Sequence, residues 1–107
     1  MDIKREVKEL EQDMIELRRT FHRHPELGLH EVWTSGVIER YLQDLGLDVR
    51  RCTDTGVIGV LKGDYPGKTI MLRCDIDALP VTEETGLPFA SEHPGRMHAC
   101  GHDGHMA

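Results

Sequence analysis

No stretch of this sequence stays apolar for more than a few residues, against the roughly 20 needed to cross a bilayer. The opening residues, Met1 to Glu6, are charged and lack the apolar h-region of a secretory signal. Basic residues are in the minority: 13 Lys and Arg stand against 19 Asp and Glu, and the net charge is −6. The cations are scattered among the acids, which excludes a nucleic-acid footprint or a basic membrane-binding face. Three cysteines without a C-x-x-C pair do not build a disulfide scaffold, and they suit a reducing cytosol. There is no phosphate-cradling glycine loop and no nucleophile elbow. Repeats and low-complexity tracts are absent as well. What is left, 107 residues with 38% apolar and 30% charged, is expected to be one soluble, cytoplasmic domain or a piece of one.

Ile3, Val7, Leu10, Met14, Leu17 and Phe21 recur at alternating four- and three-residue steps, which predicts one amphipathic helix over 3–23. His24-Pro25-Glu26-Leu27-Gly28 reads as a turn. Val37, Ile38, Tyr41, Leu42 and Leu45 form the apolar face of a second helix over 31–45, with Gly46 suited to its C-terminal cap. From Asp48 the period changes. Asp48–Cys52 reads as a short edge strand and Val57–Leu61 as a second strand. The turn residues Asp64-Tyr65-Pro66-Gly67 predict a hairpin back to a third strand, Thr69–Cys74. Its run Ile70-Met71-Leu72 does not alternate, as in a strand covered on both faces by helices. Helices before a buried strand indicate a layered α/β domain. Beyond Pro80 the chain reads as loops, including its last residues.

Two groups of side chains carry chemistry. Asp75 and Asp77, at the end of the third strand, point the same way on an extended backbone. Carboxyl ends of strands in open α/β sheets collect catalytic groups; alternatively, one Asp caps a turn and the other is solvated. The second group is denser. His98, Cys100, His102, Asp103 and His105 offer five potential ligands within eight residues. Cys and His suit zinc and similar borderline ions, and Asp suits a harder ion such as manganese. Two rival readings stand beside a metal centre: a Cys–His nucleophile pair, and a stand-alone metal-binding module built from His98, Cys100, His102 and His105. His22, His24 and His30 are too far apart to form a site by spacing. Cys52 and Cys74 read as strand thiols, Trp33 as packing, and Glu83-Glu84 as a solvated acidic pair.

Taken in order, Phe21-His22-Arg23-His24-Pro25-Glu26-Leu27-Gly28, Leu72-Arg73-Cys74-Asp75-Ile76-Asp77-Ala78-Leu79-Pro80 and Met97-His98-Ala99-Cys100-Gly101-His102-Asp103-Gly104-His105 resemble the start of a known family. It is that of the metal-dependent amidohydrolases, which include hippurate hydrolase, indole-acetyl-amino-acid hydrolases and N-acetyl-diaminopimelate deacetylase. They belong to the aminoacylase and carboxypeptidase clan of two-metal peptidases. Cys74 departs from the alanine common there.

The resemblance implies that residues 1–107 are the N-terminal portion of a three-layer αβα catalytic domain, truncated before an inserted lid or dimerisation domain. It implies Cys100 and His102 as metal ligands, with Asp77 in a supporting role. Asp103 matches the bridging aspartate of sibling branches, whereas this branch relies on the cysteine and histidine. A catalytic glutamate in a Glu-Glu pair, with further ligands, is expected after the final motif, so no catalytic base is expected within these residues. The complete protein is then expected to use two divalent ions, Mn²⁺, Zn²⁺ or Co²⁺, to hydrolyse the amide bond of N-acyl amino acids or related small conjugates. The resemblance also allows a homodimer or larger homo-oligomer. The 107-residue piece alone is expected to be inactive and marginally folded.

Overall fold

The computed structural model describes residues 1–107. Its elements are α1 (Ile3–Glu9), α2 (Glu11–Arg23), α3 (Val32–Asp44), β1 (Asp48–Cys52), β2 (Gly56–Val60) and α4 (His102–Met106). The expected first helix is thus two. Asp2 caps α1 through the Arg5 N–H, and Leu10 separates α1 from α2 with φ −87° and ψ −5°. The interruption is slight, since Leu10 N–H still bonds Glu6 O at 3.2 Å and Leu10 O accepts from Met14 N at 3.0 Å. Only the far end of the apolar stripe is covered. Phe21 is 1% exposed, while Ile3, Val7, Leu10 and Met14 remain open to solvent.

α3 begins without a cap from its own flanking residue. Instead, Glu26 reaches across the His24–Gly28 turn and accepts from Trp33 N at 3.1 Å and Thr34 N at 2.6 Å. A carboxylate there satisfies amides that the helix cannot pair and meets the positive end of its dipole. Gly46, with φ +85°, ends α3 as expected. Gly46 N bonds Gln43 O and Leu47 N bonds Leu42 O, which is the Schellman arrangement.

β1 and β2 pair antiparallel, from Asp48 opposite Val60 to Cys52 opposite Gly56, and lie against α3. At Gly59 a Cβ would stand 3.0 Å from Leu42 Cδ1 and 3.1 Å from Leu47 Cδ2, so the absent side chain permits this close approach. The third strand is a correction. Residues 69–74 join no sheet, and Ile70, Met71 and Leu72 are 86%, 84% and 94% exposed. The hairpin therefore runs between β1 and β2 and not from β2 to 69–74. The unalternating apolar run is the mark of a strand with two covered faces, and residues 1–107 supply it neither a neighbouring strand nor covering helices.

The C-terminal segment is a second correction, because His102–Met106 is helical where a loop was expected. Asp103 in its first turn and His105 in its last complement the helix dipole. Between these regions, Ala78 N bonds Glu26 O at 2.8 Å, and Leu79 and Met97 exchange two backbone bonds. Those links bring the Asp75–Leu79 stretch beside both the turn at residue 26 and the chain leading to α4. The interior they enclose is mainly polar. Phe21, Pro25 and Ala78 are the buried apolar residues, whereas His22, Glu31, Thr34, Ser35, Thr55, His98 and Asp103 are buried and polar.

Candidate metal centre

His102 opens α4, and its ring is fixed from behind. Its Nδ1 lies 2.9 Å from the Asp77 carbonyl oxygen and 3.0 Å from Asp77 Oδ1. Neither oxygen can donate, so Nδ1 carries the hydrogen. In the neutral ring the lone pair is therefore on Nε2, the atom free to bind a cation. Asp75 Oδ2 stands 3.9 Å from that Nε2. Cys100, two residues earlier, is exposed, and its sulfur enters no hydrogen bond. The donors Cys100 Sγ and His102 Nε2, with Asp77 behind the imidazole, match the chemistry expected of a borderline divalent ion.

The geometry bears on both rivals. Cys100 makes no hydrogen bond to a base of the kind a nucleophilic cysteine uses. No three His, Cys, Asp or Glu side chains converge as a metal cage within residues 1–107, which holds for the four-ligand module and for a complete centre on Cys100 and His102 alike. His98 is 4% exposed, with both ring nitrogens buried and unpartnered, and burial pushes its pKa down. His105 is exposed, its ring centroid 5.9 Å from that of His102.

Beside this centre lies a buried ion network that spacing did not reveal. His22 is 2% exposed. Its Nδ1 is 2.8 Å from Asp103 Oδ2, and its Nε2 is 2.8 Å from Glu83 Oε1. Arg18 Nε donates to the same Asp103 oxygen at 2.9 Å. Glu83 also accepts from Ser91 N at 2.9 Å and from the Thr85 hydroxyl. Burial raises the Glu83 pKa, but the bonds from Thr85, Ser91 and His22 outweigh it, and the net direction is down. Asp103 behaves alike: burial raises its pKa, and the His22 bond, Arg18 and the Gly104 N–H bring it below the usual value.

Glu83 is thus a buried partner, its side chain 4% exposed, and not the solvated acid expected. Phe89 covers the network, with the Arg18 and Arg19 guanidinium carbons 5.3 and 4.7 Å from its ring centroid. One local signal was available. Arg18 and His22 are four apart and share a face of α2. Their partners lie 61 to 85 residues further along, beyond any spacing rule.

Residues 71–107, which include Asp75, Asp77, Cys100 and His102, match the model of peptidase family M20/M25/M40. The chain belongs to this family. Over 98 residues it is 51% identical to the N-acetyldiaminopimelate deacetylase of Listeria monocytogenes serotype 4a, covering 89% of this chain and 26% of that protein. It is 48% identical over 107 residues to the N-acyl-L-amino acid amidohydrolase of Geobacillus stearothermophilus, covering 99% of this chain and 29% of the other. Among solved structures, the Bacillus subtilis YXEP protein, described as a dinuclear metal-binding M20 peptidase, superimposes with a TM-score of 0.87. That match is 46% identical and covers 92% of this chain and 28% of the YXEP chain. The chain therefore spans little more than a quarter of the length of these M20 relatives, and its α/β fold is that of part of an M20 peptidase.

Proposed function

We propose that this segment supplies part of the metal centre of an M20 amidohydrolase that cleaves the amide bond of N-acyl amino acids or related small conjugates. The observation that carries the reading is the Asp77–His102 arrangement, which leaves Nε2 as a metal donor next in chain to the Cys100 thiol. Relatives named for N-acyl-L-amino acid and N-acetyl-L-cysteine substrates support the substrate class. A pair of divalent ions at such a centre supplies Lewis acidity toward the scissile carbonyl and toward water; we assign them as Mn²⁺, Zn²⁺ or Co²⁺.

Within the chain, Cys100 contributes a thiolate that adds negative charge and a soft donor. His102 contributes a neutral imidazole. Asp77 holds that imidazole in the tautomer binding requires and raises its basicity. No side chain here is placed as a general base, and we assign that role to a glutamate outside these residues; the 107-residue chain assayed alone is then inactive. The reading extends to a cytoplasmic protein, a homodimer or larger homo-oligomer, acting on small molecules and not on nucleic acid or membranes. No helix is long and apolar enough to cross a membrane.

The test uses the complete protein that carries this segment, stripped with a chelator, reloaded with Mn²⁺, Zn²⁺ or Co²⁺, and assayed on N-acetyl and N-benzoyl amino acids. Cys100→Ser and His102→Ala are expected to lower bound metal and abolish hydrolysis while preserving the circular dichroism spectrum. Full activity in Cys100→Ser removes the thiolate from the donor set and overturns the reading.

A further inference from the structure

An imidazole buried between two carboxylates is tightly constrained. Each His22 ring nitrogen faces a carboxylate oxygen at 2.8 Å, Asp103 Oδ2 on one side and Glu83 Oε1 on the other. Arg18 donates to the same Asp103 oxygen. Three remote segments meet on this one ring: helix α2, the 83–91 loop held by the Ser91 and Thr85 bonds to Glu83, and the first turn of α4.

α4 has only five residues, too few to be stable by itself. Its first turn carries His102 and Asp103 side by side. His102 faces Asp77, and Asp103 faces His22 and Arg18, so the two bonds hold the turn from different sides. If the Asp103 side is released, the turn that presents Nε2 keeps the Asp77 contact and its packing on α2 but loses its buried polar anchor.

We propose that His22 is a positioning residue for the metal centre: through its Nδ1–Asp103 bond it fixes the turn on which His102, and with it the Cys100 loop, presents its donor. The proposal rests on the metal-centre reading above. It makes the two sides of the ring unequal. The Asp103 side governs metal binding, whereas the Glu83 side anchors the ring and the 83–91 loop.

Two substitutions separate the sides. The amide nitrogen of Asn occupies the place of Nδ1 and keeps the donor to Asp103. That of Gln occupies the place of Nε2 and keeps the donor to Glu83. Each removes the ring and one hydrogen bond, so a merely structural His22 lowers the melting temperature and cobalt affinity together in both variants.

The probe is Co²⁺ titrated into the complete protein that carries this segment, stripped with a chelator and reduced, and read by its thiolate-to-cobalt absorption. His22→Gln is expected to weaken Co²⁺ binding by about tenfold or more, and His22→Asn by less than about threefold, the scale on which partners behind a metal ligand act. Should a His22 variant fail to fold, Asp103→Ala and Glu83→Ala, which remove the two acceptors, test the same asymmetry from the other side. Equal Co²⁺ affinities in the Asn and Gln variants overturn the proposal alone. Absence of Cys100-dependent cobalt absorption in the unaltered complete protein overturns the metal-centre reading and the proposal with it.

Discussion

Replacing Asp103 with Ala removes the carboxylate that Arg18 and His22 share. The two pairs are not equivalent. Arg18 is 41% exposed, so its bond to Asp103 is solvent-screened and contributes about 0–1 kcal/mol. His22 and Asp103 are 3% and 1% exposed at the side chain, and taking one partner from such a pair costs about 3–5 kcal/mol. The His22 loss dominates, so Asp103→Ala is expected to lose about 3–5 kcal/mol, a large share of the roughly 5–15 kcal/mol that stabilises a folded domain. Asp103→Asn keeps the volume and an acceptor oxygen but not the charge, and is expected to cost less, about 1–3 kcal/mol. The exposed Arg5–Glu9 pair serves as control, since Glu9→Ala should cost under about 0.5 kcal/mol. Urea unfolding followed by Trp33 fluorescence and circular dichroism measures all three. A loss below about 1 kcal/mol in Asp103→Ala, or an Asn variant no more stable than the Ala variant, refutes the argument that a buried charge pair holds α4 to α2.

The remaining predictions concern acid, the metal donor and a helix start. Glu83 and Asp103 have pKa values below the ordinary carboxylate range, so the unfolded chain takes up their protons first as pH falls. Their stabilisation is complete above that range and is lost as pH drops through their lowered values; melting temperature against pH should fall there, and Glu83→Gln should flatten the fall. Asp77→Ala deletes one of the two acceptors behind His102 Nδ1, and Co²⁺ affinity is expected to drop about tenfold. An unchanged affinity would mean that the Asp77 backbone carbonyl alone orients the ring. Glu26→Ala uncaps α3 at Trp33 N and Thr34 N and is expected to cost about 1–2 kcal/mol in urea unfolding, with no cost if water replaces the carboxylate.

What the sequence determined by itself is whatever depends on neighbours along the chain. The apolar steps from Ile3 to Phe21, the face from Val37 to Leu45 and the glycine after it located the helices, because a helix repeats every few residues and Gly46 permits the dihedral that ends it. The alternation after Asp48 located two strands for the same reason. The motif from His98 to His105 offered five candidate ligands, and its resemblance to the metal-dependent amidohydrolases singled out Cys100 and His102 as the expected donors.

The tertiary structure decided what depends on distant partners. It left Ile70-Met71-Leu72 exposed, since a strand forms only against neighbours. It turned the C-terminal segment into α4, whose five residues are held by Asp103 and not by propensity. It also placed Asp77 behind His102, across 25 residues of chain, and so chose which imidazole nitrogen is free. His22, Glu83 and Asp103 show the division most plainly. Each alone looks like an ordinary surface residue, and only the fold, by burying all three together, makes charge and hydrogen bonding compulsory: in that interior an unpaired ion costs far more than it does in water.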